Sequence, residues 1–153
     1  MESLSGLMYG LSIAFQPGNL FFCFLGCVVG TLIGVLPGIG PTATLALLLP
    51  ITFHLPSSTA IIMLSGIYYG AMYGGSTTSI LVNIPGEAAS LVTCLDGYQM
   101  ARQGRGGPAL GIAAIGSFIA GTLSVITLMF LAPALASFAL HFSSPEYAAI
   151  IIF

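Results

Sequence analysis

An all-α integral membrane fold is what this sequence predicts: a multi-pass bundle built partly from interrupted half-helices. Three observations predict it. The chain is 57% hydrophobic and 4% charged, with mean hydropathy +1.08, whereas a soluble domain carries about 25% charged residues. No Asp, Glu, Lys or Arg lies between Ser3 and Gly86, or between Gly106 and Pro145. Both runs far exceed the roughly 20 apolar residues that cross a bilayer as a helix. Finally, clustered glycine and proline break these runs, above all in VLPGIGPTA, from Val35 to Ala43.

The N-terminal MESLSGLMYGLSIAF lacks the positive region of a cleaved signal peptide and reads as an amphipathic lead-in. Asn19 to Leu36 is the first span. Its Gly26, Gly30 and Gly34 recur every fourth residue, a stripe that lets another helix pack closely. Pro37, Gly38, Gly40 and Pro41 then interrupt the helix. Thr42 to Phe53 resumes as an apolar helix too short to span, ended by His54-Leu55-Pro56. Ser57 is the expected N-cap of the next helix, which runs to about Tyr69. A second break is expected in YGAMYGGSTTS, Tyr69 to Ser79, followed by a short piece, Ile80 to Val82, that leads into NIPGE.

Residues 87–107 hold four of the six charges and both arginines. They read as a polar loop containing a turn at Asp96-Gly97, a short amphipathic helix and a Gly-rich exit. The positive-inside tendency places this loop in the cytoplasm. Glu87 is expected at N3 after Pro85, as a cap. Pro108 to Leu131 is a full-length span, kinked or ended by Pro133. Ala134 to Phe142 is shorter, and Ser144-Pro145-Glu146 starts a last helix. The chain stops inside an apolar run, so 1–153 is read as the N-terminal part of a single membrane domain, a truncated fragment.

Several function classes drop out. Net charge is −2 and there is no basic patch, so nucleic acid is not a partner. Cys23, Cys27 and Cys94 are odd in number and form no disulfide framework. Cys23 and Cys27 lie one turn apart without a second ligand pair and read as packing residues. His54 and His141 each stand alone beside apolar runs and read as interfacial.

Interrupted helices survive at membrane depth only inside protein or beside a water-filled cavity, and paired interruptions point to a transporter's binding site. Pro41 suits the first turn of a helix, where its missing N–H costs nothing. The amides near Gly40, Thr42 and Ala43, the helix dipole and the hydroxyls of Thr42 and Thr44 then make an anion site without a charged side chain. Gly74 and Gly75 would permit an unwound backbone, with Ser76, Thr77 or Thr78 capping the next half-helix and freed carbonyls available to a cation. The candidate substrate-binding residues are Gly38, Gly40, Pro41, Thr42, Thr44, Gly74, Gly75, Ser76, Thr77 and Asn83, with a sodium site expected near the Gly38 and Gly75 backbone. No catalytic residue and no cofactor beyond a coupling sodium ion or proton is expected.

LPGIGPTATLALLLPITF, GIYYGAMYGGSTTSILVNIPGEAASLVTCLDGYQMARQGRGGPAL and GSFIAGT resemble the large membrane subunit of tripartite tricarboxylate transporters, the TctA family. The resemblance runs from about Gly30 to Glu146, and members of that family are considerably longer. It implies gradient-driven uptake of di- and tricarboxylates such as citrate, by sodium or proton symport without ATP, at the cell inner membrane. It also implies a periplasmic solute-binding protein and a small membrane subunit as partners. It further implies two related halves of opposed topology, an inverted repeat of which this chain supplies one. The Pro37-to-Pro41 and Tyr73-to-Thr77 segments carry over as site candidates. Two other classes stay open: a non-transporting membrane scaffold or assembly fragment, and an intramembrane serine hydrolase using Ser76 with His141. Ser76 lacks the GxSxG context of a nucleophile elbow.

Overall fold

The computed structural model describes residues 2–139, and these are helical almost throughout. The order is α1 (Glu2–Ala14), α2 (Pro17–Gly34), α3 (Gly40–Leu48), a 3₁₀ segment (Leu49–His54), α4 (Ser57–Val82), a 3₁₀ turn (Ala88–Ser90), α5 (Leu91–Arg102) and α6 (Gly106–Ala139). The chain divides into two units, Met1–Ala113 and Ala114–Phe153. The first contains the packed helices; the described part of the second is helix alone. Among the described residues two helical stretches are long and apolar enough to cross a membrane: Pro17–Gly34, with hydropathy 1.7, and Gly106–Ala132, with hydropathy 2.0.

The first unit is organised around α2 and α4, which pack through reciprocal glycines. A methyl group on Gly26, Gly30 or Gly34 would collide with the backbone carbonyl of Met63, Ile67 or Ala71 on α4. The reverse holds for Gly66, Gly70 and Gly74, which face the carbonyls of Cys23, Cys27 and Thr31 on α2. For Gly66 and Gly74 the added carbon would lie 2.6 and 2.5 Å from those oxygens. Six glycines on two i, i+4, i+8 stripes therefore bring the two backbones into direct contact. The packing role expected for the α2 stripe holds, and α4 carries its complement. Beneath the contact lie Met63, Ile67 and Ala71, all almost fully buried. At the far end of the pair the Thr59 hydroxyl donates to Asn19 Oδ1 (2.7 Å), and Asn19 Nδ2 donates to the Ile13 carbonyl (2.8 Å). This buried link pins the starts of α2 and α4 to the end of α1.

Several expectations need correction. Tyr69 to Ser79 does not interrupt a helix: α4 runs unbroken from Ser57 to Val82. Gly74 is spent on close packing against α2, and the hydroxyls of Thr77, Thr78 and Ser79 donate back to carbonyls of their own helix, which they can do without opening it. The cap residue of α4 is Pro56, with Ser57 already helical and no side-chain capping bond. Asp96-Gly97 is not a turn but lies inside α5, where Gly97 lets that helix approach Ile80: an added carbon would sit 2.8 Å from its Cγ1. The polar loop is therefore largely helical, with its turn at Gly104 (φ 76°). Of the two outcomes expected at Pro133, a kink or an end, the end does not occur: α6 continues to Ala139. His141, Ser144-Pro145-Glu146 and the helix expected to follow lie outside the described residues.

Candidate binding site

The first interruption is real. α2 ends at Gly34, α3 starts at Gly40, and both Gly38 (φ 86°) and Gly40 (φ 64°) adopt left-handed backbone that disfavours any side chain. Pro41 falls in the first turn of α3 and is buried. The first-turn amides of this helix have no carbonyl partner within it. Pro50 tightens the far end into a 3₁₀ segment, so the helix-like stretch from Gly40 to His54 remains short.

The break lies beside the NIPGE segment. A methyl group on Gly40 would sit 3.8 Å from the Gly86 carbonyl oxygen. One on Gly86 would collide with the Gly75 Cα of α4, and one on Gly75 would lie 3.0 Å from Glu87 Oε2. Three glycine-bearing segments, from the α2–α3 break, the middle of α4 and the loop after α4, thus converge at Gly40, Gly75 and Gly86. Gly86 must be glycine for these backbones to touch, and at Gly75 an added carbon would need its neighbours to give by a few tenths of an ångström. The loop reaches this position because Asn83, in left-handed conformation (φ 61°), ends α4, and Pro85 follows.

The convergence brings together only part of the residue set expected from sequence. Gly40, Pro41 and Gly75 are at or beside it. Thr44 is fully buried, and its hydroxyl donates to the Gly40 carbonyl (2.8 Å), bracing the first turn of α3 rather than facing a ligand. Thr77 is similarly occupied by the Tyr73 carbonyl (2.9 Å). Gly74 belongs to the α2 contact. Thr42 is exposed and Ser76 half-buried, and neither makes such a return bond. Gly38 and Asn83 are exposed and shape the chain. The Gly75 carbonyl accepts the hydroxyls of Thr78 and Ser79, each at 2.9 Å.

Sequence reasoning undervalued Glu87. It is a cap, as expected, but from the N-cap position of the Ala88–Ser90 turn rather than N3, in a capping box with Ser90. Its backbone N–H donates to the Ser90 hydroxyl (3.2 Å), which in turn donates to the Glu87 carbonyl (2.9 Å). Its Oε2 is buried without a hydrogen-bond partner. Burial pushes its carboxyl above the ordinary value. The signal available was its place: the first charge after an uncharged run that starts at Ser3. Among the described residues no three His, Cys, Asp or Glu side chains group as a metal site. A separate apolar groove of about 410 Å³, lined by Leu45, Leu49, Ile61, Leu64, Tyr68 and Tyr69, holds none of the expected site residues.

A family model described as the tripartite tricarboxylate transporter TctA family matches residues 20–153. The chain belongs to the TctA family. It is 59% identical over 152 residues to an Agrobacterium vitis protein named as an uncharacterized 52.8 kDa protein in the TAR-I ttuC' 3' region. The match covers 99% of this chain and 30% of that relative, so the chain spans under a third of the relative's length. No solved structure matches. The TctA match includes the break, the α4 glycines and the Gly86-Glu87 segment, so the converging residues all lie within the region that defines the family.

Proposed function

We propose that this chain forms the N-terminal part of the permease subunit of a tripartite secondary transporter. Its substrate is a di- or tricarboxylate such as citrate, and a proton or sodium gradient drives uptake. A periplasmic solute-binding protein delivers the substrate, and a small membrane subunit completes the complex. The subunit sits in the inner membrane as a multi-pass protein, one half of an inverted repeat, with residues 87–107 on the cytoplasmic side. Membership of the TctA family supports the activity class. The outward faces of the helices support the membrane: Phe24, Leu32, Phe118 and Phe130 are each at least 68% exposed.

One observation carries the site: the break at Gly38 and Gly40, which starts a short helix against the Gly75–Gly86 contact. An anionic substrate carboxylate is bound at the first turn of α3 by backbone amides and the helix dipole, with the Thr42 and Ser76 hydroxyls as additional donors. Amides already fixed by the fold bind an anion without an Arg or Lys buried in the membrane.

The test is uptake of radiolabelled citrate, malate and succinate by the complete transporter complex in proteoliposomes, with sodium and pH varied independently. Gly40→Leu and Thr42→Val are expected to abolish uptake while membrane insertion survives. Wild-type uptake rates in both variants would remove the substrate from the α3 terminus.

A further inference from the structure

One group at the convergence has no role in anion binding. Glu87 places a buried carboxylate oxygen beside the Gly75 backbone with nothing to bond to. Three hydroxyls of this region are engaged elsewhere: Ser90 with the Glu87 backbone, Thr78 and Ser79 with the Gly75 carbonyl. The side chain is half-buried and takes part in a capping box with the Ser90 backbone, but a carboxylate oxygen buried without a donor disfavours the anion relative to the neutral acid. The same loop touches the break, since the Gly86 carbonyl lies against Gly40. A negative charge on Glu87 therefore stands close to the α3 terminus where the substrate's carboxylate is placed.

Resting on the transport reading above, we propose that Glu87 is the proton-binding side chain that couples the proton gradient to carboxylate binding at the α2–α3 break. Deprotonated, it repels the incoming anion; protonated, it admits it. Each ligand then raises the affinity for the other by the same factor, as linkage requires, and proton and anion cross together. Upward displacement of the Glu87 carboxyl by burial agrees with this. Among the described residues no other ionisable group is placed at this contact. α3 carries none, α2 only Cys23 and Cys27, and α4 only Tyr68, Tyr69 and Tyr73. The 3₁₀ turn after Glu87 has none. α5 and the turn after it carry Cys94, Asp96, Tyr98, Arg102 and Arg105, and the upward shift at Glu87 has burial as its cause. The Gly75 carbonyl, expected to serve a sodium ion, accepts the Thr78 and Ser79 hydroxyls, and a single unpartnered carboxylate oxygen suits a proton instead.

The experiment uses the complete transporter complex in proteoliposomes, with labelled citrate, malate and succinate as probes. Two modes are measured: accumulation driven by an imposed proton gradient, and exchange of internal for external carboxylate without a gradient. Glu87→Gln should lose accumulation by at least tenfold while keeping exchange. Its carboxylate affinity, taken relative to wild type at each pH so that the titration of the probe cancels, should rise as pH rises. Glu87→Asp, which keeps the acid, should retain proton-driven accumulation. Accumulation by Glu87→Gln with wild-type pH dependence overturns the inference, and so does loss of exchange in both variants, the behaviour of a structural residue. Wild-type accumulation that follows sodium and ignores pH also overturns it. In each of these cases wild-type exchange still stands, so the transport reading survives; a wild-type complex that exchanges none of the probes removes both.

Discussion

Gly30→Val tests the account of the α2–α4 contact. A carbon added at Gly30 would overlap the Ile67 carbonyl oxygen and lie 2.8 Å from both the Ile67 carbonyl carbon and Cα. These are backbone atoms of a continuous helix, so no side chain can swing away to make room. The two helices must part or tilt, loosening the neighbouring Gly26–Met63 and Gly34–Ala71 contacts. Overpacking of this kind costs about 1–3 kcal/mol, and valine belongs at the upper end because it adds three carbons. The gain in helix propensity over glycine returns roughly 0.4 kcal/mol. The net loss is about 2–2.6 kcal/mol, which shifts the unfolding equilibrium roughly 30- to 70-fold at 1.4 kcal/mol per tenfold. Reversible unfolding in mixed detergent micelles measures it, with Gly18→Val as control, because a side chain at Gly18 meets nothing within 4 Å. Stability of Gly30→Val within about 0.5 kcal/mol of wild type, the range of an inconsequential surface change, would refute the direct backbone contact. Equal destabilisation by the control would do the same.

Other outcomes follow from single features of the fold. A double-mutant cycle on Asn19→Leu and Thr59→Val should return a coupling of about 1 kcal/mol, the net value of one buried hydrogen bond; additive losses would show that the two side chains do not interact. Gly38→Ala should cost about 1 kcal/mol in the same unfolding assay because its φ is 86°, although nothing crowds its α-carbon; an unchanged midpoint would mean the turn relaxes freely. Glu87 should make stability pH-dependent with a sign opposite to that of most acids. Its folded pKa is raised above 4.5, so the native state holds the proton more tightly than the unfolded chain. Its contribution is full below about pH 4.5, is lost as pH rises through the raised folded value and is absent above it. Glu87→Gln should flatten that segment of the stability profile, and a profile identical to wild type would show that the carboxyl is solvated.

The extent to which the fold was legible depended on whether a residue's role is local. PGIGP breaks a helix in any surroundings, because proline lacks a donor and glycine lacks a Cβ, and the chain is broken there. GGSTTS contains the same residue types without proline and reads as a break by composition, yet it remains helical. Glycine only permits an opening; when a neighbouring helix fills the groove it leaves, the ordinary hydrogen-bond ladder is the better state. Asp96-Gly97 went the same way, its glycine taken up by contact with Ile80. Glu87 was legible as a lone charge, but its burial beside Gly75 depends on residues twelve positions apart being folded together.

By itself the sequence determined the all-helical class, the apolar surfaces, the break between α2 and α3 and the TctA resemblance. All of these come from composition, local backbone chemistry or residue order. Only the tertiary structure decided that six glycines on α2 and α4 form one reciprocal contact, that α4 is continuous, and that Gly40, Gly75 and Gly86 meet beside an unpartnered carboxylate. The physical reason is that a glycine's role is set by what approaches it. Absence of a side chain favours a turn where nothing packs against the backbone and a helix where another backbone does, and the local sequence is silent on which neighbour arrives.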